Sequence, residues 1–110
     1  MTVSDLIKTE KFTLVTLPCG EREIDGVYIG DLLSWVMGKA QADNVWITIM
    51  CNINVVAVAS LSDVACVLLA EGVTMEDEVI KTAAEKGINI LSTTLSTYEA
   101  AISLRELLGE

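Results

Sequence analysis

Any chemistry in this chain falls to acids, amides, hydroxyls and thiols, because none of its 110 residues is a histidine. That removes the usual general base, the Ser–His and Cys–His nucleophile pairs and a common zinc ligand. Cys19, Cys51 and Cys66 are far apart and form no C-x-x-C pair, so they read as reduced thiols of a cytoplasmic protein. Cys51, at the end of an expected strand, is the one best placed to be functional. No two carboxylates stand at a catalytic spacing. Gly20, Gly26 and Gly30 are too widely spaced for a phosphate loop, and no Lys-Ser or Lys-Thr follows them. Phosphate-loop kinase chemistry is therefore excluded. No metal or cofactor is expected, and the chain reads as a non-enzyme.

What remains is a candidate binding rim. Asn52, Asn54, Glu71, Gly72, Thr74, Thr93, Thr94 and Ser96 all follow strand-like runs. In an open parallel sheet, ligands bind where the carboxyl ends of strands meet helix N-termini. Free N–H groups at such an edge could hold a nucleotide or another phosphorylated metabolite. Thr16 is a further candidate for the same edge. A local reading competes with this one. Asn52, Thr74 and Ser96 fit as helix N-caps, each worth about 1 kcal/mol. Gly72 fits as a turn residue with positive φ. Glu71 is the residue that local structure explains least. It could serve as a base beside Cys51 only if the rim forms, and no motif spacing supports that.

The elements behind the rim follow from periodicity. A short helix is expected over residues 3–9, starting near Thr2 or Ser4, and a strand over 11–16. Pro18-Cys19-Gly20 turns the chain. A strand at 27–29 precedes an amphipathic helix with Leu32, Leu33, Val36 and Met37 on its face, Asp31 at its start and Gly38 at its end. Residues 45–50 and 64–70 read as buried strands. Thr74-x-x-Asp77 suggests a capped helix over 75–86, with Val79, Ile80, Ala83 and Ala84 inward and Gly87 as its stop. Residues 88–91 form a short strand. Ser96-x-x-Glu99 caps a last helix reaching Leu108, whose inner face reads Tyr98, Ala101, Ile102 and Leu108. Residues 53–61 are ambiguous. Their β-branched composition favours strand, whereas a link between two buried parallel strands should cross over as a helix, with Asn52 as its cap. The helix reading is preferred. It gives a three-layer α/β/α fold with a mainly parallel sheet built from βαβ units.

Composition limits the partners. The formal net charge of −9 disfavours nucleic acid and anionic membranes. The longest apolar run, residues 64–70, is far short of a membrane span. No signal peptide is visible, and no linker or repeat divides the chain, so residues 1–110 are expected to form one domain. The hydrophobic share of 52% suits strands buried on both faces plus an apolar contact surface. Trp46 lies in a buried-strand pattern. Trp35 falls between the apolar positions of its helix and is the candidate interface residue, most simply in a two-fold homodimer.

From Ile29 onward, over roughly 80 residues, the chain resembles the DRTGG domain family. The residues carrying the likeness are Gly26-Val27-Tyr28-Ile29-Gly30-Asp31-Leu32-Leu33-Ser34, Val45-Trp46-Ile47-Thr48-Ile49, the stretch 52–61, and Ser96-Thr97-Tyr98-Glu99-Ala100. Stand-alone members are similar to the N-terminal, non-catalytic domain of HPr kinase/phosphorylase, whose opening Thr2-Val3-Ser4-Asp5-Leu6-Ile7 also resembles. The resemblance implies an α/β/α fold and a regulatory or assembly role, as in domains that accompany phosphotransacetylases or nucleotide-sensing pyrophosphatases. The namesake motif departs: Asn52-Ile53 stands where Asp-Arg would, and Ala70-Glu71-Gly72 where Thr-Gly-Gly would. The leading functional expectation is a non-catalytic module that self-associates and docks on a partner protein. The alternative is a ligand sensor binding a nucleotide or phosphorylated metabolite at the rim.

Overall fold

The β-branched stretch at residues 53–61 is helical in the computed structural model, which describes residues 1–109. Glu110, the last residue of the expected unit, lies outside the described residues. The elements run α1 (Val3–Lys8), β1 (Thr13–Thr16), β2 (Val27–Ile29), α2 (Leu33–Lys39), β3 (Val45–Thr48), α3 (Ile53–Ser62), β4 (Cys66–Leu69), α4 (Asp77–Glu85), β5 (Ile90–Ser92) and α5 (Thr97–Leu108). The strands flanking α3 explain its state. Every residue of β3 and β4 is buried, and the two pair in parallel from Val45↔Cys66 to Thr48↔Leu69. A parallel pair needs a crossover, and that demand overrides strand propensity. Asn52 starts the helix by accepting from the Asn54 N–H at 2.9 Å. Asp63, left-handed at φ 56°, ends it.

The sheet order is β1-β5-β4-β3-β2. Strands β2 to β5 are parallel, and β1 joins antiparallel to β5 at the outer edge. Helices α2, α3 and α4 cover one face, where Val36, Val55, Ala59 and Ala83 pack with Trp46, Val67, Leu69 and Ile90. Helices α1 and α5 cover the other, where Val3, Leu6, Ala100 and Leu104 pack with Val45, Ile47, Cys66, Leu68 and Leu91. The fold is three-layer α/β/α, as expected.

Several local expectations need correction. Asp31 does not cap α2; Leu32 stands at that position without a side-chain bond, because Thr48 draws the Asp31 carboxylate away. The helix runs through Gly38 to Lys39 rather than closing on the glycine. Of its expected apolar face, only Val36 is buried, and Leu32 and Met37 are exposed. Thr74 does not cap α4. The chain stays extended through Glu76 and buries Met75 first, so the helix starts at Asp77. Ala84 is exposed. The inner face of α5 is Ala100 and Leu104, not Tyr98 and Ile102; the small alanine lets the helix sit close to the sheet. Thr16 lies at the amino edge beside Ile90, because β1 runs antiparallel.

Two fasteners hold the first 25 residues to the rest of the chain, and a third set of bonds shapes α1 within them. The buried Asn89 accepts from the Cys19 N–H at 2.9 Å and donates to the carbonyls of Cys19 at 2.8 Å and Ala65 at 3.0 Å. Arg22 donates to Asp43 at 2.7 Å, to the Asp63 carboxylate at 3.0 Å and to the Asp63 carbonyl at 2.8 Å. Partial burial pulls the guanidinium pKa down, but the bonds to Asp43 and Asp63 outweigh it and hold the value above the ordinary one. Thr2 and Asp5 form a reciprocal capping box on α1, and the bonds from Thr2 hold the Asp5 carboxyl below its usual range.

Two outcomes follow from this packing. Asn89→Ala orphans the Cys19 N–H and the Ala65 carbonyl and should cost about 3 kcal/mol in a urea titration. Burial pushes the Cys66 thiol from 9.0 up to about 12, slightly opposed by Arg22. Above pH 9.0 the unfolded chain sheds this proton while the folded chain keeps it, so stability falls with rising pH until about 12. Urea midpoints measured against pH should fall less steeply in Cys66→Ala than in the unmodified chain over that window.

Candidate functional site

The carboxyl edge of the sheet divides where the chain changes face. Strand β4 leads to α4 on one face, and β5 leads to α5 on the other. Loops that part in this way open a crevice in parallel sheets, and ligands bind there. In this chain the crevice is stitched shut. The Glu71 N–H donates to the Leu95 carbonyl at 2.8 Å, and the Gly72 N–H to the Thr93 carbonyl at 2.9 Å. The Glu71 carboxylate accepts from the Thr97 N–H at 3.1 Å, at the first turn of α5. Glu71 is left-handed at φ 61° and Gly72 at φ 72°, a conformation that costs a non-glycine residue roughly 1–2 kcal/mol. The tight turn aims the Glu71 carboxylate at the positive end of α5.

Most of the expected rim residues are committed to such bonds. Thr93 is buried; its N–H donates to the Leu69 carbonyl, and its hydroxyl donates to the Lys11 carbonyl and accepts from the Leu95 N–H. Ser96 accepts from the Glu99 N–H at 3.1 Å while Glu99 accepts from the Ser96 N–H at 3.2 Å. Asn52 accepts from the Asn54 N–H, and both lie exposed at the start of α3. Thr74 and Thr94 are exposed and make no side-chain hydrogen bond among the described residues.

The structure therefore does not gather the eight residues into one rim. Asn52 and Thr74 share an open cleft of about 600 Å³ with Cys51, Ile53, Glu76 and Val79. Thr93 and Thr94 share another, of about 480 Å³, with Glu10, Lys11, Glu99 and Ser103. Glu71, bound to α5, does not line the cleft that Cys51 lines. The start of α4 has no side-chain cap, and Glu76, Asp77 and Glu78 crowd it with negative charge. That charge opposes a phosphate at these amides. Among the described residues, no group of three or more His, Cys, Asp or Glu could hold a metal ion, and no helix is long and apolar enough to cross a membrane.

Sequence reasoning missed the apolar half of the edge. At the ends of β2 and β3, the exposed apolar side chains are Ile29, Leu32, Ile49 and Ile53, alongside the exposed Asp31 and Asn52. Asp31 accepts from the Thr48 hydroxyl at 2.7 Å and the Ile49 N–H at 3.0 Å, tying the two strand ends together. Ile49, an apolar residue directly after the buried β3, was the available signal.

The family model of the DRTGG domain matches residues 26–107. Among solved structures, the chain is similar to the CBS and DRTGG domains of the regulatory region of Clostridium perfringens pyrophosphatase, complexed with its activator, diadenosine tetraphosphate. The TM-score is 0.70 at 13% identity, over 91% of this chain and 44% of that one. This chain thus spans less than half the length of its structural neighbour. No curated protein matches it.

The bond from Glu71 to α5 can be tested by stability. Glu71→Ala should lose about 1 kcal/mol in a urea titration, because a cap is removed. Glu71→Gly should stay close to the unmodified chain, since relief of the left-handed strain offsets the lost cap. Thr94→Ala should change nothing measurable.

Proposed function

The chain belongs to the DRTGG domain family, and from that membership and the edge geometry we propose that it is a non-catalytic regulatory module acting through protein contacts. It self-associates and docks on a partner protein. One observation carries this reading: most of the polar half of the edge is spent on internal hydrogen bonds, while the apolar half is open. An exposed apolar surface beside a closed crevice suits a protein contact better than a small polar ligand. The clasps at Asn89 and Arg22 support residues 1–110 acting as one unit, although the family match starts at residue 26. Kinship with the N-terminal domain of HPr kinase/phosphorylase rests on the sequence resemblance, and a cytoplasmic setting rests on the unpaired thiols.

Ligand sensing is the second reading. The open cleft beside Cys51 and Thr74 favours it, as does the activator complex of the structural neighbour. The acids at the cleft mouth select for an uncharged or cationic group there rather than a phosphate.

Thermal unfolding with millimolar nucleotides, diadenosine tetraphosphate and sugar phosphates separates the two. A ligand at 100 times its Kd adds about 2.7 kcal/mol, which moves Tm by roughly 10 °C in a chain this small. The contact reading expects no shift and a dimer mass by light scattering. A clear shift with any compound would establish sensing instead.

A further inference from the structure

We propose that the carboxyl edge carries a groove for a short segment of a partner protein whose apolar residues are flanked by lysine or arginine. The proposal rests on the docking reading above and supplies its surface and the partner's chemistry. Two open clefts adjoin at the loop before α4, and Thr74 and the buried Met75 line both. The first, of about 600 Å³, has Ile53 and Val79 as apolar walls. The second, of about 330 Å³, has Val15, Val73 and Ile80. Together they pass the ends of β3, β4 and β5 and reach β1. Three strand spacings make that path roughly 14 Å, about the reach of four or five extended residues. A groove of that length suits a peptide segment with apolar anchors rather than one small group.

Charge selects the occupant. Glu76 and Val79, three residues apart at the start of α4, both line the first cleft. Asp77 stands three residues before Ile80, on the flank of α4 that walls the second. Each cleft thus has a carboxylate beside it. Both acids are exposed, and neither makes an ion pair among the described residues. Lys81, the next base along α4, pairs with neither, and Lys11 lines the cleft on the α5 side of the sheet. The helix dipole accounts for acids at this position, but not for apolar clefts beside them. A partner that covers Ile53 and Val79 also takes water from these carboxylates, which is costly unless it brings cations.

A second copy of this chain does not supply such a segment. Its only bases within seven residues of each other are Lys8 with Lys11 and Lys81 with Lys86, and a glutamate stands between the members of each pair. An acidic or phosphorylated segment would meet like charge at both clefts.

A dye-labelled heptapeptide with leucine second and sixth, lysine at both ends and serine between tests the groove by fluorescence anisotropy. When it is extended, its leucines lie on one face about 13 Å apart. It should bind the unmodified chain, more weakly as salt rises. Glu76→Gln with Asp77→Asn should raise its Kd about tenfold. Ile53→Thr and Val15→Thr should each raise it about fourfold, with an unchanged circular dichroism spectrum. Glu85→Gln with Glu106→Gln removes the same charge elsewhere and should have little effect. Replacing the leucines by serine, or the lysines by glutamate, should abolish binding. No binding at millimolar peptide overturns the groove, as does an equal loss in the two charge variants. Displacement by lysinamide at the peptide's own concentration overturns the peptide in favour of a small amine. A dimer that Ile53→Thr dissociates overturns it in favour of a second copy. The docking reading itself falls separately, to a thermal shift with the nucleotide panel.

Discussion

Four parallel strands laid down in sequence order leave little choice about where the helices go. Each right-handed crossover returns the chain one strand further along, so α2, α3 and α4 must share a face. The opposite face is left to α1 and α5, and the chain changes sides only after β5. That single change fixes where the edge can open. It also explains Glu71, which stands at the last loop before the change. A residue in an unfavourable backbone state persists when its surroundings bind it, and here its amide bonds to the Leu95 carbonyl in the loop after β5 and its carboxylate to the first N–H of α5.

What could be read in the sequence follows the range of the interaction. The strands β3 and β4 were legible as apolar runs because burial on both faces removes alternation. The caps at Asn52 and Ser96 were legible because donor and acceptor lie within three residues. Helix α3 could be inferred only by way of topology, against its own propensity. Asp31 and Glu71 were not legible, since their partners, Thr48 and Thr97, lie 17 and 26 residues away. Thr74 fitted a capping box, but the burial of Met75 delays the helix and leaves the threonine outside it. On α5 the large residues suggested the wrong face. Close packing on a sheet favours a small residue at the contact, and Ala100 takes that place.

The two positions that the resemblance aligns with the family's namesake motif both do local structural work. Asn52 caps α3, and Ile53 beside it is exposed. Glu71 and Gly72 make the turn that binds β4 to the loop after β5. In each case the polar groups nearest the sheet edge have partners within the chain. An incoming polar ligand would have to replace bonds already made, at a cost comparable to what it gains. An apolar surface faces no such competition, because burying it displaces only water.

The acidic surface and the open edge are therefore complementary. A charge of −9 keeps the chain dispersed and discourages contact through most of its surface. Contact is left to places where apolar groups are exposed and carboxylates are few or already bound. The flank of α2 above β2 meets both conditions, with Asp31 tied down and Lys39 folded over Trp35. Repulsion elsewhere then acts as a selector. It sets a cost on every arrangement of two such chains that brings their acids together.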